Sequence, residues 1–200
     1  IIGSIIKNPL QQLSEVCSIF SLEYPDPTTD SYRYYINFFL RFIHNTYTKA
    51  SGMELYNPDS VAGYPAYYQE PSFDRIWFSS NTLIGRYKLI ESLIIGRNTI
   101  TPNPRIYAEL DTVTFAKNKV VNPPNPIALI TEISDLLYPE AIDNDRIDYF
   151  KTFLVDEGFP DYYWTSLWNQ YLNDNDDTSV RVRLNALITA MVNAAEFQLM

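Results

Sequence analysis

Few side chains in this chain have the type and spacing for chemistry. His44 is the one imidazole in 200 residues, so a multi-histidine metal centre is excluded. It stands on a polar helical stripe with Arg33, Asn37, Arg41 and Thr48, at spacings of four, four, three and four. His44 could serve as a general base only with a carboxylate and a nucleophile brought from elsewhere. Arg33 and Arg41 could receive an anion or a carboxylate. The plainer expectation is a stripe facing water or a neighbouring segment. Cys17 is the single thiol, set in Leu13-Ser14-Glu15-Val16-Cys17-Ser18-Ile19-Phe20. It can make neither an internal disulfide nor a cysteine-based zinc site, and it is expected as a small buried hydrophobe. There is no Gly-rich phosphate loop, nucleophile elbow or metal-spaced cysteine pair. No cofactor and no metal are expected.

The carboxylates are more numerous. Asp174, Asp176 and Asp177 alternate with Asn173 and Asn175, an oxygen-rich run of the kind Ca²⁺ uses. The run lacks the Gly and distal Glu of an EF-hand loop, so helix capping and a solvated charge run are expected instead. Asp156-Glu157 could do acid–base work on a sugar, as could many acid pairs in an acidic protein.

The most distinctive stretch is Met53-Glu54-Leu55-Tyr56-Asn57-Pro58-Asp59-Ser60-Val61-Ala62-Gly63-Tyr64-Pro65. It runs on through Tyr67-Tyr68 to Arg75-Ile76-Trp77-Phe78-Ser79-Ser80-Asn81-Thr82-Leu83-Ile84-Gly85-Arg86-Tyr87. Pro58 and Pro65 bracket a turn in which Gly63 is expected to take a backbone shape closed to other residues. Two roles are open for the aromatics. Tyr64, Tyr67, Tyr68, Phe73, Trp77 and Phe78 could fold the loop onto the helices, with Arg86 bonding loop carbonyls or a carboxylate. Alternatively Tyr64, Tyr67, Tyr68 and Trp77 could form a platform that stacks on sugar rings or on a polypeptide, with Arg75 and Arg86 at its rim.

This stretch resembles the bacterial family called domain of unknown function 1800. That family shows a Phe/Leu-x-x-Pro-x-x-Val-x-Gly-Trp turn, then a Trp, then a helix with Leu-x-x-Arg. Pro58, Val61, Gly63, Trp77, Leu83 and Arg86 match it. Tyr64 stands where many members have Trp, and the insert 66–75 is longer than in the short forms. Glu109-Leu110-Asp111 and the ending Ala195-Glu196-Phe197-Gln198-Leu199-Met200 are also similar to the family's C-terminal part. The resemblance implies a helical, exported bacterial protein of undefined biochemistry, found in the periplasm, at the cell surface or secreted. It carries no catalytic residues over. It hints at surface polysaccharide work, with a glycan or another surface protein as partner. The rival is a hydrolase of such a polymer, its active site shared with an N-terminal part not in this sequence. The chain opens on Ile1-Ile2-Gly3-Ser4 without an initiator Met, so it is expected to be the C-terminal part of a longer protein.

Helices must position these residues. Asn8-Pro9 and Asn125-Pro126 each place a cap before a Pro at the first helical position. Leu10, Leu13, Val16, Cys17 and Phe20 follow the first. Ile127, Leu129, Ile130, Ile133, Leu136 and Leu137 follow the second. Asp143 or Asn144 caps another helix, with Gly158 its expected stop. The longest helix is expected over about 30–50, with Tyr32, Ile36, Phe39, Leu40, Ile43 and Tyr47 on one face. Others are expected near 79–95 (Leu83, Tyr87, Ile90 and Ile94 inward), 162–172 and 178–195. Arg105–Ala108 and Thr112–Phe115 could be short strands. The expectation is an all-α bundle of six or seven helices, with two long ordered loops and at most a minor hairpin, forming one domain over 1–200.

Charge completes the picture. The net charge is −9, with 46% apolar and 15% aromatic residues. Residues 1–125 carry 11 acids and 11 bases, whereas 126–180 carry 12 acids against Arg146 and Lys151, a sum of −10. Such a surface argues against nucleic acid, whose phosphates need a basic footprint, and against an anionic membrane. No stretch reaches the roughly 18–20 apolar residues that span a bilayer.

Overall fold

Asn8-Pro9 opens the first helix as its chemistry requires. In the computed structural model, which describes residues 5–58, 60–64, 77–95 and 108–200, Asn8 Oδ1 accepts from the Gln11 amide at 2.9 Å. Helix α1 then runs Pro9–Ile19. The described residues form seven α-helices, one π-helix and a closing 3₁₀ turn, with no strand among them. Glu23 and Glu109 make an isolated antiparallel bridge. None of these helices is long and apolar enough to cross a membrane. The chain divides into two compact units, Ile5–Leu110 and Asp111–Met200.

In the first unit α1 packs with a π-helix, Arg33–Thr48, and with α2, Ser80–Ile95. The π-helix closes i→i+5 bonds, such as Lys49 N–H to the His44 carbonyl at 3.2 Å. Its buried residues are the pairs Asn37-Phe38, Phe42-Ile43 and Tyr47-Thr48. They recur every five positions, which is the repeat that i→i+5 bonding imposes. The face expected from a 3.6-residue repeat is therefore corrected. Tyr32 and Leu40 are exposed, while Asn37 and Thr48, expected on the polar stripe, are buried.

In α2 the inward face is Gly85, Arg86, Leu89, Ile90 and Leu93. Tyr87, expected inward, is exposed. Gly85 sets this rotation: a Cβ there would lie 2.7 Å from the carbonyl carbon and oxygen of Ala50. Only glycine lets α2 come so close to the chain leaving the π-helix.

The second unit is built on α7, Thr178–Asn193. Val180, Leu184, Leu187, Ile188, Met191 and Val192 are fully enclosed, each worth about 1.5–3 kcal/mol of apolar burial. Against α7 lie α3 (Thr112–Lys119), α4 (Pro126–Leu137), α5 (Asn144–Lys151) and α6 (Tyr162–Asp174). The 3₁₀ turn Ala195–Gln198 follows α7.

Thr112–Phe115 opens α3 rather than a strand. Asp111 Oδ1 takes the Val113 and Thr114 amides at 3.2 Å each, and Asp111 Oδ2 takes the Thr114 hydroxyl at 2.7 Å. A capping carboxylate outweighs the weak strand preference of the β-branched run. The other half of that expected hairpin, at 105–107, lies outside the described residues. Asn125 caps α4 through the Ile127 and Ala128 amides. Asp143 caps α5 through the Arg146 amide at 2.8 Å. Helix α5 ends at Lys151, short of Gly158, in a tightened turn where the Leu154 and Val155 amides share the Lys151 carbonyl. Trp164 and Trp168 sit in the core of α6, the Trp164 indole donating to the Pro123 carbonyl at 2.8 Å.

Candidate functional site

The residues singled out in the aromatic loop lie in the first unit. Gly63 has φ +95°, the left-handed shape expected of it, and Val61 is fully exposed. Pro58, Leu83 and Tyr64 are half-buried, with the Tyr64 hydroxyl enclosed. Trp77 is 2% exposed and Arg86 is completely buried. Both belong to the interior of the first unit. Burial pushes the Tyr47 hydroxyl pKa up, and the nearby Arg86 charge partly offsets this. Tyr67, Tyr68 and Arg75 lie outside the described residues.

The polar stripe is tied up locally. Arg41 Nη1 donates to Asn37 Oδ1 at 3.1 Å. His44 Nε2 lies 2.8 Å from the Leu55 carbonyl and Nδ1 lies 2.9 Å from Asn45 Oδ1. An imidazole whose Nε2 donates to a main-chain carbonyl anchors the loop to the π-helix. It does not present a free base on that side. Cys17 is half-buried and its thiol is pushed up to about 11 by desolvation, which suits the packing role expected of it.

The acidic run before α7 also makes partners of its own. Asp176 Oδ1 accepts from the Thr178 amide at 3.0 Å and from its hydroxyl at 2.6 Å. Arg181 joins Asp177 and, at 3.0 Å, Asp111. Asp156 is held by Arg183 at 2.7 Å. No group of three or more metal-ligating side chains occurs among the described residues.

The residues that do converge on a cavity are in the second unit. The turn after α4 leads to the capped start of α5, and the 3₁₀ turn closes on it. Together they line an open cavity of about 620 Å³, with Glu140, Asp143, Asp145, Arg146, Tyr149 and Glu196 among its walls. That volume lies in the range of small-ligand sites. Arg146 Nε is 2.8 Å from Glu196 Oε1, and Arg146 Nη2 donates to Glu196 Oε2 at 3.1 Å. The guanidinium carbon also lies 4.8 Å from the Tyr149 ring centroid and 4.6 Å from that of Phe150, close enough for cation–π attraction.

Phe150 is fully buried beneath this arrangement, whereas Tyr149 is 48% exposed. The Tyr138 hydroxyl donates to the Met191 carbonyl at 2.9 Å. Its pKa is pushed up by burial first and by the Glu196 charge second. Gln198 Nε2 donates to the Val192 carbonyl at 2.9 Å, so the 3₁₀ turn is pinned to the end of α7.

A family model described as protein of unknown function, DUF1800, matches residues 2–199. The chain belongs to that family. The DUF1800 match spans both units, including the loop motif of the first and residues 195–199 of the ending of the second. No curated protein and no solved structure matches the chain.

Sequence reasoning did not select this DUF1800 cavity. Its two halves were visible separately, as the acidic excess over 126–180 and as the ending that holds Glu196. Fifty positions separate Arg146 from Glu196, and no local pattern announces that they meet. Asp143 was legible only as a helix cap, which it is.

Proposed function

We propose that this protein is an exported binding or assembly component of the bacterial cell surface, working on polysaccharide, with the α5 cavity as its glycan site. The observation that carries this is the half-exposed Tyr149 ring on the wall of a 620 Å³ cavity whose polar lining is mostly carboxylate. A flat ring offers the apolar face of a sugar a stacking surface. Ionised carboxylates are pure acceptors, suited to a ligand whose polar groups are hydroxyl donors. The exported location rests on the family resemblance drawn from the loop motif and the C-terminal segment.

Glu140, Asp143 and Asp145 also favour a second reading, a hydrolase, because paired carboxylates are the usual machinery of glycoside cleavage. One experiment separates the two. The purified chain is titrated with neutral and charged oligosaccharides by calorimetry, and the mixtures are assayed for released reducing ends. Saturable binding without turnover, lost in Tyr149→Ala, supports the binder. Turnover lost in Asp145→Asn or Glu140→Gln, with folding intact, supports the hydrolase. No response to any glycan removes both.

A further inference from the structure

The charge distribution around Arg146 narrows the ligand class, on the reading that the cavity is a glycan site. Among the described residues Arg146 is the one cation in the lining, against the carboxylates of Glu140, Asp143, Asp145 and Glu196. Its charge is already committed. Glu196 takes it through one hydrogen bond, Nη2 to Oε2 at 3.1 Å, and a close ion-pair contact of 2.8 Å between Nε and Oε1. The Tyr149 and Phe150 rings lie against the same guanidinium.

The pair cancels one positive against one negative charge, which leaves three carboxylates. Of these, one Asp143 oxygen accepts from the Arg146 amide as a helix cap, and the Glu140 and Asp145 side chains are exposed. A concave site lined mostly by one sign of charge raises the local concentration of the opposite charge. Arg146 is thus a residue that fixes the wall and holds the Tyr149 ring in place. It is not a receptor for ligand anions.

We infer that the cavity discriminates by charge, taking sugars that carry a free ammonium group and rejecting those that carry carboxylate or sulfate. The ammonium would sit against Glu140 and Asp145 while a ring face stacks on Tyr149.

The test uses three tetrasaccharides with the intact chain: the glucosamine tetramer, its fully N-acetylated counterpart and a galacturonate tetramer. The first two differ only in whether the amine is charged. The expected result is binding of the glucosamine tetramer about tenfold or more tighter than its acetylated form, and no detectable binding of the uronate. The preference should shrink with added salt and collapse in the Glu140→Gln/Asp145→Asn double variant, which leaves the Arg146–Glu196 wall intact.

Equal affinity for the first two ligands, or tighter binding of the uronate, overturns the charge inference and leaves the glycan site standing. Glucosamine binding that survives both the double variant and Tyr149→Ala also overturns it, because the net charge of the protein alone would then account for the attraction. Failure of all three ligands to bind removes the glycan site itself.

Discussion

Arg146 on α5 holds Glu196 of the terminal 3₁₀ turn through two oxygens, at 2.8 and 3.1 Å, across fifty positions of chain. Both side chains keep about a third of their surface in solvent, so the pair is no deep-core bridge. Its consequence is placement: it fixes the last turn of the chain as one wall of the α5 cavity.

Because the pair is half-exposed, its loss should be modest in stability. Arg146→Gln should cost about 0.5–1 kcal/mol, within the range of partly exposed pairs, and Glu196→Gln about the same. The double variant should cost less than the sum of the singles, since the two share one interaction. Urea unfolding of the four proteins measures this.

Gly85 and Gly63 should fail for different reasons. A methyl on Gly85 meets the Ala50 backbone at 2.7 Å. Gly85→Ala should therefore destabilise by about 1–3 kcal/mol through overpacking, despite the gain of about 1 kcal/mol expected for alanine in a helix. At Gly63 nothing lies within 4 Å of the added atom, but φ is +95°. Gly63→Val should cost about 1–3 kcal/mol from backbone strain alone. Thermal melts rank the two, and an unchanged Tm in either variant contradicts its account.

Asp111 ties stability to acid pH. Burial raises its pKa, but hydrogen bonds from Thr114 and the charge of Arg181 outweigh burial, and the net shift is downward. A carboxylate held below its unfolded value adds stability above that unfolded value and loses it as pH falls through the folded one. Asp111→Ala should cost about 1–2 kcal/mol at pH 7 through the lost α3 cap. The gap to wild type should narrow as pH falls below the unfolded carboxylate value of about 3.9 and on through the lower folded one. Urea titrations at a series of pH values from 7 downward check it.

Cys17 should be silent in the native state. With its thiol pushed up to about 11, it should react with a disulfide reagent at pH 8 far more slowly than the same residue in denaturant. By linkage, stability from this group is intact below the unfolded thiol value of about 8.5. It declines as pH rises toward the folded one. Labelling rates with and without denaturant read the difference directly.

How much of this was legible depends on the range of the interaction. Helices α1, α4 and α5 open on a cap residue, with Pro at the next position in α1 and α4, and those signals act within three positions. α7 was equally plain, since Leu184, Leu187, Ile188, Met191 and Val192 keep one period and all are buried. A 3.6-residue repeat predicts the wrong face of the π-helix because the chain bonds i→i+5 there, which sends Tyr32 and Leu40 outward and Asn37 inward. The facing of α2 is not legible locally because the approach permitted by Gly85 is a tertiary fact. Trp77 and Arg86 drew attention by residue type, yet type does not say whether a ring or a guanidinium ends inside. The cavity was invisible as a unit because its walls come from the start of α5 and the end of the chain, joined only by the fold.

The central claim is that Tyr149 and the carboxylates around it receive a sugar. The most direct measurement is a calorimetric titration of wild type and Tyr149→Ala with the glucosamine tetramer, alongside melting curves for both proteins. Saturable binding to wild type, weakened about tenfold or more in Tyr149→Ala at unchanged Tm, is the predicted result. Binding of equal strength in both proteins, or none in wild type, would contradict it.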